Sequence, residues 1–361
     1  MKVAKFGGSS VAGAEQFKKV KAIVEEDPER RVVVVSAAGK RNADDHKLTD
    51  LLYLCHAHLN YGVSCSDIFN TIEQRLTEIR DELGLSYDVE SELKELERTL
   101  SKDTPVDLLV SRGEYFTSKL MAEYLGYTFV DAADCVIFSF DGSIDYERSY
   151  ALIAEAAEKY GRIVIPGFYG RVSTGKIKVM TRGGSDITGS LAAVAVNADV
   201  YENWTDVSGI LMADPRIVDN PEPIKKITYA ELRELAFMGA TVLHEESVQP
   251  VREKGIPLNI RNTNRPQDPG TMIVGNIDRE NSDDRFITGI AGRKNFTIIT
   301  LQKHDMHTSH TLRQALEVFE RYHAPIEHIA LGLDSFALVT SSAGLGESIY
   351  QLMGDLQKAC H

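Results

Sequence analysis

Lys5-Phe6-Gly7-Gly8-Ser9-Ser10, close to the start of the chain, decides how the rest is read. Before it, Val3, Lys5 and Phe6 fit the end of a short strand. After it, Val11, Ala14, Phe17, Val20, Ile23 and Val24 recur at three- and four-residue steps, which predicts an amphipathic helix. Between the two, Gly7 and Gly8 let the backbone turn with no Cβ in the way. A strand, a glycine pair, two hydroxyls and a helix start make a site for phosphate, because free N–H groups and the positive helix end face the same space. Lys5 adds a full positive charge. The spacing is not that of the P-loop, and the third glycine of G-x-G-x-x-G is missing. Taken alone, the segment stays open between a phosphate cradle and an ordinary βα turn with a solvated lysine.

Outward from this turn, Arg31–Ser36 is a continuous β-branched run of the kind buried on both faces of a parallel sheet. Arg162–Pro166 repeats that character, and Asp107–Val110 and Thr128–Val130 are shorter strand candidates. Helical patterns lie between them, so the expected class is α/β with an open, mainly parallel sheet sandwiched by helices. Thr71–Asp103 holds ten acidic and five basic residues over two apolar stripes, Ile72, Leu76, Ile79, Leu83 and Leu93, Leu96, Leu100. That pattern predicts two surface helices with solvated charged faces. At 361 residues the chain exceeds one typical core, so two domains are expected. Polar Asn276–Arg285 is the candidate linker. Beyond it the pattern reads strand Phe296–Leu301, helix Leu312–Tyr322, strands Ile326–Leu331 and Ser335–Thr340, and helix Leu345–Leu356.

Bulk properties narrow the function. A net charge of −13 with no basic stripe excludes a nucleic-acid surface. Cys55, Cys65, Cys135 and Cys360 form no C-x-x-C pair and read as reduced thiols of a cytoplasmic protein. No signal peptide opens the chain and no apolar run nears the length of a membrane span.

Val3-to-Val11 resembles the opening of aspartate kinases, members of the amino-acid kinase family. The resemblance returns at Ser111-Arg112-Gly113-Glu114, at Thr181-Arg182-Gly183-Gly184-Ser185-Asp186, from Trp204 to Ile210, at Asp214-Pro215-Arg216 and at Gly239-Ala240-Thr241-Val242-Leu243-His244. It implies an amino-acid kinase domain over residues 1–280. The β-α-β-β-α order after it resembles the ACT module, a small ferredoxin-like regulatory domain, over residues 281–361. A full ACT module ends on one more strand, and aspartate kinases usually carry a second module. The regulatory part is therefore expected to be incomplete, weakly inhibited by lysine or threonine, and paired as a homodimer or higher oligomer.

The implied activity is transfer of the γ-phosphoryl of ATP, with Mg²⁺ carried on the nucleotide and no direct protein ligand, to the side-chain carboxylate of L-aspartate. This reaction opens lysine, threonine and methionine synthesis. A carboxylate nucleophile is already ionised, at a pKa of ~3.9 for aspartate, so cations and N–H groups rather than a general base should carry the chemistry. The resemblance makes Lys5 and Asp186 the catalytic pair, beside the Gly7 and Gly8 amides, and Asp186 is also a candidate N-cap for a helix from Ile187. For the substrate it implies Thr49, Glu114, Arg182, Gly183, Gly184 and Ser185, with Arg182 gripping the α-carboxylate and Glu114 meeting the ammonium. Ser36, at a strand end, ranks below these. For ATP it implies Lys5, Gly7, Gly8, Ser9, Thr205, Asp206, Leu211, Asp214, Arg216, Thr241 and Val242. The family pattern carries Lys where this chain has Thr241, so one cation is absent there. His304, Asp305, His307 and His310 read as a polar loop, where ACT modules often take an amino-acid effector, rather than a metal site. A kinase of another acid such as glutamate, or a sensing homologue without turnover, stays open beside the aspartate reading.

Overall fold

Val32 to Val35 are fully buried, Val32 and Val34 in one apolar cluster, Val33 and Val35 in another. A strand with a core on each face needs apolar residues at consecutive positions, which explains the unbroken β-branched run. The computed structural model describes residues 1–181, 183–239, 243, 245–277, 287–302 and 308–360. These fall into two compact units, Met1–Ala291 and Gly292–His361.

Among the described residues, the first unit is built on β1 (Lys2–Phe6), β2 (Arg30–Val35), β3 (Thr128–Phe129), β5 (Ile163–Pro166), β8 (Val200–Thr205), β9 (Lys226–Thr228), β10 (Leu258–Asn262) and β11 (Thr271–Val274). They form one sheet in the order β3-β5-β2-β1-β8-β10-β11-β9. From β3 across to β10 every pairing is parallel, and only β10 and β11 are antiparallel. A small second sheet holds β4 (Ile137–Phe138), β6 (Tyr169–Val172) and β7 (Ile177–Val179). Helix Ala14–Glu26 lays Phe17, Val20, Ile23 and Val24 on the face that carries Ala4 and Phe6. Helix Gly184–Ala195 covers the other face, packing Ile187, Leu191 and Ala192 with Val3 and Val34. Helices thus sandwich a mainly parallel sheet, as expected.

Three expectations need correction. Asp107–Val110 is not a strand but the start of helix Val106–Leu125, whose buried Leu109, Val110, Phe116, Leu120 and Met121 keep helical spacing. An apolar run as short as Leu108–Val110 cannot distinguish a buried strand from a buried helix. Val11 ends a short 3₁₀ turn, Gly8–Val11, and the amphipathic helix begins only at Ala14. The helix expected over Leu345–Leu356 is broken at Gly346, and its long part is Ile349–Ala359. The charged region forms two helices, Ser66–Leu83 and Val89–Thr99, as expected, with Arg75 buried rather than solvated. Part of the candidate linker, from residue 278 onward, lies outside the described residues.

The second unit contains β12 (Phe296–Gln302), helix Thr308–Arg321, β13 (Ile326–Leu331), β14 (Ser335–Ser341) and helix Ile349–Ala359. Its sheet runs β12-β14-β13, all antiparallel, and buries Ile299, Phe336 and Leu338 against Phe319, Leu352 and Leu356. The order is the expected ACT-like β-α-β-β-α. His304, Asp305 and His307 lie outside the described residues, while His310 is exposed. Among the described residues no helix is long and apolar enough to cross a membrane.

One polar cluster locks the centre of the first unit. Arg30 of β2 reaches over Ala4 to Glu202 of β8, with Nε 2.7 Å from Oε2 and Nη2 3.1 Å from Oε1. Trp204 Nε1 donates to the same Oε2 at 3.0 Å. Removing one partner of such a pair strands a buried charge. Glu202→Ala is expected to destabilise the first unit by ~3–5 kcal/mol, read as a lower urea midpoint. Arg30→Met with Glu202→Leu should recover most of that loss.

Candidate active site

Lys5 sits on β1 directly beside Asn203 of β8. Its Nζ lies 2.6 Å from Asp186 Oδ1 and 3.4 Å from Asn203 Oδ1, and Asn203 Nδ2 donates to the same Asp186 oxygen at 2.9 Å. Lys5 is 7% exposed, and a buried ammonium needs such a partner. Asp186 reaches it from the first turn of helix Gly184–Ala195. The N-cap position belongs to Gly183, in the left-handed region at φ 76°, so Asp186 does not cap the helix as expected. Its carboxylate is turned to Lys5 instead, and Tyr201 Oη donates to its carbonyl at 3.2 Å.

The glycine turn is held by backbone contacts. Gly39 N–H donates to the Gly8 carbonyl at 2.9 Å, and a Cβ on Gly39 would fall 2.6 Å from the Gly8 carbonyl carbon. Only glycine permits that approach. Gly7 N–H is not free for an anion, contrary to expectation: it donates to the Trp204 carbonyl at 3.0 Å. Ser10 N–H is likewise taken by the Gly7 carbonyl at 2.9 Å. The first amides of a helical turn lack partners within it, which leaves those of Gly8 and Ser9 at the mouth.

Segment Ser36–Gly39, which follows β2, joins this turn to a second feature. Glu114 lies on the inner side of helix Val106–Leu125, and its Oε2 is buried with no hydrogen-bond partner. Burial pushes the carboxyl up to about 8, against the opposing pull of the Ala37 N–H. Ala38 N–H donates to Thr117 Oγ1, one helical turn further on, at 3.2 Å. Thr49, in the first turn of helix Leu48–Asn60, packs against Gly113 next to Glu114. An enclosed carboxylate oxygen with no donor fits a cationic group of a ligand, which would supply both charge and N–H.

The remaining expected residues are less convergent. Ser185 lies against Gly167, at the end of β5. Ser36 N–H donates to the Phe6 carbonyl at 3.1 Å, and Ser9 is partly exposed. Thr205 ends β8 and donates from Oγ1 to Asp206 Oδ1 at 3.2 Å. Leu211 is exposed. Arg216 grips Asp214 in a fork, Nη2–Oδ2 2.6 Å and Nε–Oδ1 3.0 Å, with its side chain 87% exposed. Arg182, Thr241 and Val242 lie outside the described residues. Among the described residues no group of three carboxylate, His or Cys side chains could hold a metal ion. Sequence reasoning missed Asn203, Gly39 and Ala37. The signal for Asn203 was Glu202-Asn203, a polar pair set between apolar Val200-Tyr201 and Trp204 in Val200–Thr205.

The amino acid kinase family model matches residues 1–262. Aspartokinase 3 of Bacillus subtilis (strain 168) is 35% identical over 354 residues, spanning 94% of this chain and 77% of its own. The crystal structure of Clostridium acetobutylicum aspartate kinase matches at TM-score 0.91 and 45% identity, over 100% of this chain and 82% of that one. E. coli aspartokinase III in complex with aspartate and ADP matches at TM-score 0.72 and 26% identity, over 100% and 84%. The same enzyme in complex with lysine and aspartate gives 0.75 at 26% identity.

Glu114 sets a pH dependence of stability. Its folded pKa is raised to about 8 from an ordinary 4.5, so between these values the folded protein holds a proton that the unfolded chain has lost. Stability therefore falls as pH rises from about 4.5 through about 8. Glu114→Gln removes the titration, and its Tm should exceed the wild-type value by a margin that widens from pH 5 to pH 9. A margin constant over that range would show that Glu114 is ionised throughout.

Proposed function

The chain belongs to the amino acid kinase family, and from that footing we infer that it is an aspartokinase, an ATP:L-aspartate 4-phosphotransferase. The observation that carries the reading is the pairing of the Lys5–Asp186–Asn203 cluster with the unpartnered Glu114, joined by Ser36–Gly39. One end suits phosphoryl oxygens and the other an ammonium, which are the two parts the reaction must bring together.

The aspartate side chain arrives ionised, so no residue needs to remove a proton. Lys5 lies on the transferring phosphoryl group, with Gly8 and Ser9 N–H groups completing an oxyanion cradle. Asp186 and Asn203 keep the Lys5 ammonium aimed at the turn. Glu114 takes the α-ammonium, and Thr49 and Ser185 offer hydroxyls. Arg182 is assigned to the α-carboxylate, where a planar fork matches two oxygens. Thr205, Asp206, Leu211, Asp214, Arg216, Thr241 and Val242 are assigned to the nucleotide. Asp186 is already engaged by Lys5, and Mg²⁺ is assigned to ATP oxygens, reached from Asp186 through water. The bound ion would neutralise phosphate charge. The free thiols support a cytoplasmic location.

The second unit is assigned a regulatory role, with an amino acid such as lysine or threonine as effector. β12 lies at the edge of its sheet, and Ile298 on it is 65% exposed. An apolar edge strand invites pairing, which supports a homodimer formed through residues 296–356.

Two measurements test the reading. ADP should form from ATP and Mg²⁺ only with L-aspartate present, and Lys5→Ala or Asp186→Ala should cut kcat by at least about a hundredfold. Near-wild-type turnover in both variants would remove them from the mechanism. Secondly, the ammonium of aspartate should ionise Glu114 on binding, because a near cation lowers a carboxyl pKa. Calorimetry at pH 7 in buffers of differing ionisation enthalpy should register a released proton, lost in Glu114→Gln.

A further inference from the structure

The charge at the phosphate turn is incomplete on the residues assigned so far. Lys5 is matched one to one by Asp186, and Arg216 by Asp214. Each pair carries no net charge, whereas the nucleotide and a dicarboxylate together bring several negative charges, which the Mg²⁺ and Arg182 assigned above would offset only in part. Lys40 directly follows Gly39, whose Cα lies 3.4 Å from where Gly8 would carry a Cβ. It is exposed and forms no ion pair among the described residues. Its neighbour Arg41 is engaged elsewhere, with Asp45 at 2.9 Å and Glu78 at 2.8 Å.

The base of Lys40 is fixed from two sides. Gly39 N–H is bonded to the Gly8 carbonyl, and the Gly39 carbonyl accepts from Arg75 Nη2 at 2.6 Å. Arg75 is 3% exposed, and its Nη1 donates to the His46 carbonyl, so one guanidinium pins both ends of the 39–46 loop. Asp45 Oδ2, 3.5 Å from Arg75 Nη2, offsets the cost of burying this charge, and the two main-chain carbonyls that the guanidinium also holds give Arg75 a positioning task. It holds the loop against the turn, and a four-carbon stem from Lys40 then spans the gap to an oxyanion seated on the Gly8 and Ser9 amides.

We propose that Lys40 is a second phosphoryl-binding cation, contacting the group in flight alongside Lys5, with Arg75 as its positioning residue. The inference rests on the kinase reading above. In the step, a carboxylate oxygen of aspartate bonds to the γ-phosphorus as the β–γ bridging P–O bond breaks. The electron pair leaves on the β-phosphate of ADP, and no proton moves. Lys40 stabilises the equatorial oxygens during that exchange and neither gains nor loses a bond to hydrogen.

The test uses the full chain with ATP and Mg²⁺. Wild-type ADP formation that depends on aspartate is the first reading, and its absence overturns the kinase assignment itself. In active enzyme, Lys40→Ala and Lys40→Met should each lower kcat by at least about tenfold. The KM for aspartate should stay within about twofold, because Lys40 holds transferring phosphoryl and not the amino acid. Lys40→Arg should restore most of the rate, which separates a charge effect from loss of fold. The exposed Lys94→Ala serves as control and should match wild type. Rates of Lys40→Ala and Lys40→Met within twofold of wild type, or no recovery with arginine, overturn the inference while leaving the kinase reading intact.

Discussion

The ion pair between Lys5 and Asp186 is the interaction on which the first unit is organised. A lysine on a central strand meets a core on both faces and cannot stay charged without a partner. The partner comes from the first turn of helix Gly184–Ala195, and Asn203 of the adjoining strand bridges the two. The pair thereby fixes the helix against β1 and β8, in the buried middle of the sheet. It also fixes the ammonium at the mouth of the glycine turn. On the kinase reading, folding and chemistry draw on the same contact, and this cation is aimed before a phosphate arrives.

Parallel pairing explains why the functional groups gather at one edge. From β3 across to β10 the strands point the same way, so the segments leaving them emerge on one side of the sheet. Gly7-Gly8 follows β1, Ser36–Gly39 follows β2, Gly167 follows β5, and Thr205 ends β8. Residues far apart in sequence converge there without long loops, as in other open α/β sheets. Helix Val106–Leu125 then delivers Glu114 to the same edge from the side.

The architecture was largely legible because it depends on periodicity. In Val32–Val35 the unbroken β-branched composition, rather than length, points to a strand, and Phe17, Val20, Ile23 and Val24 have one reading at their spacing. Asp107–Val110 failed because three apolar residues, Leu108 to Val110, fit both periods. At the site, Lys5, Asp186 and Glu114 could be named because they sit in compact motifs. Their states could not. Nothing in the string says that Gly7 gives its N–H to Trp204, since that bond spans almost two hundred positions. Nor does it say that Asp186 turns away from capping, because the choice depends on where Lys5 lies in space. Arg75 looked like one more solvated charge on a charged helix, and only the fold reveals the carbonyls it holds.

Lys5 and Glu114 show two answers to one problem. Both are ionisable and enclosed, yet one is paired by the protein and the other is left with an unpartnered oxygen. Pairing Lys5 within the chain keeps its charge in place between turnovers. On the proposed reading, pairing Glu114 in the same way would fill the place assigned to the substrate ammonium. The protein therefore carries the cost of an unsatisfied buried carboxyl until a ligand relieves it, and holding the proton is the cheaper state meanwhile. On that reading, stability given up at Glu114 would return as affinity for a cationic group. On the same reading that trade cannot be made at Lys5, because a transferring phosphoryl group must meet a charge already aimed at it.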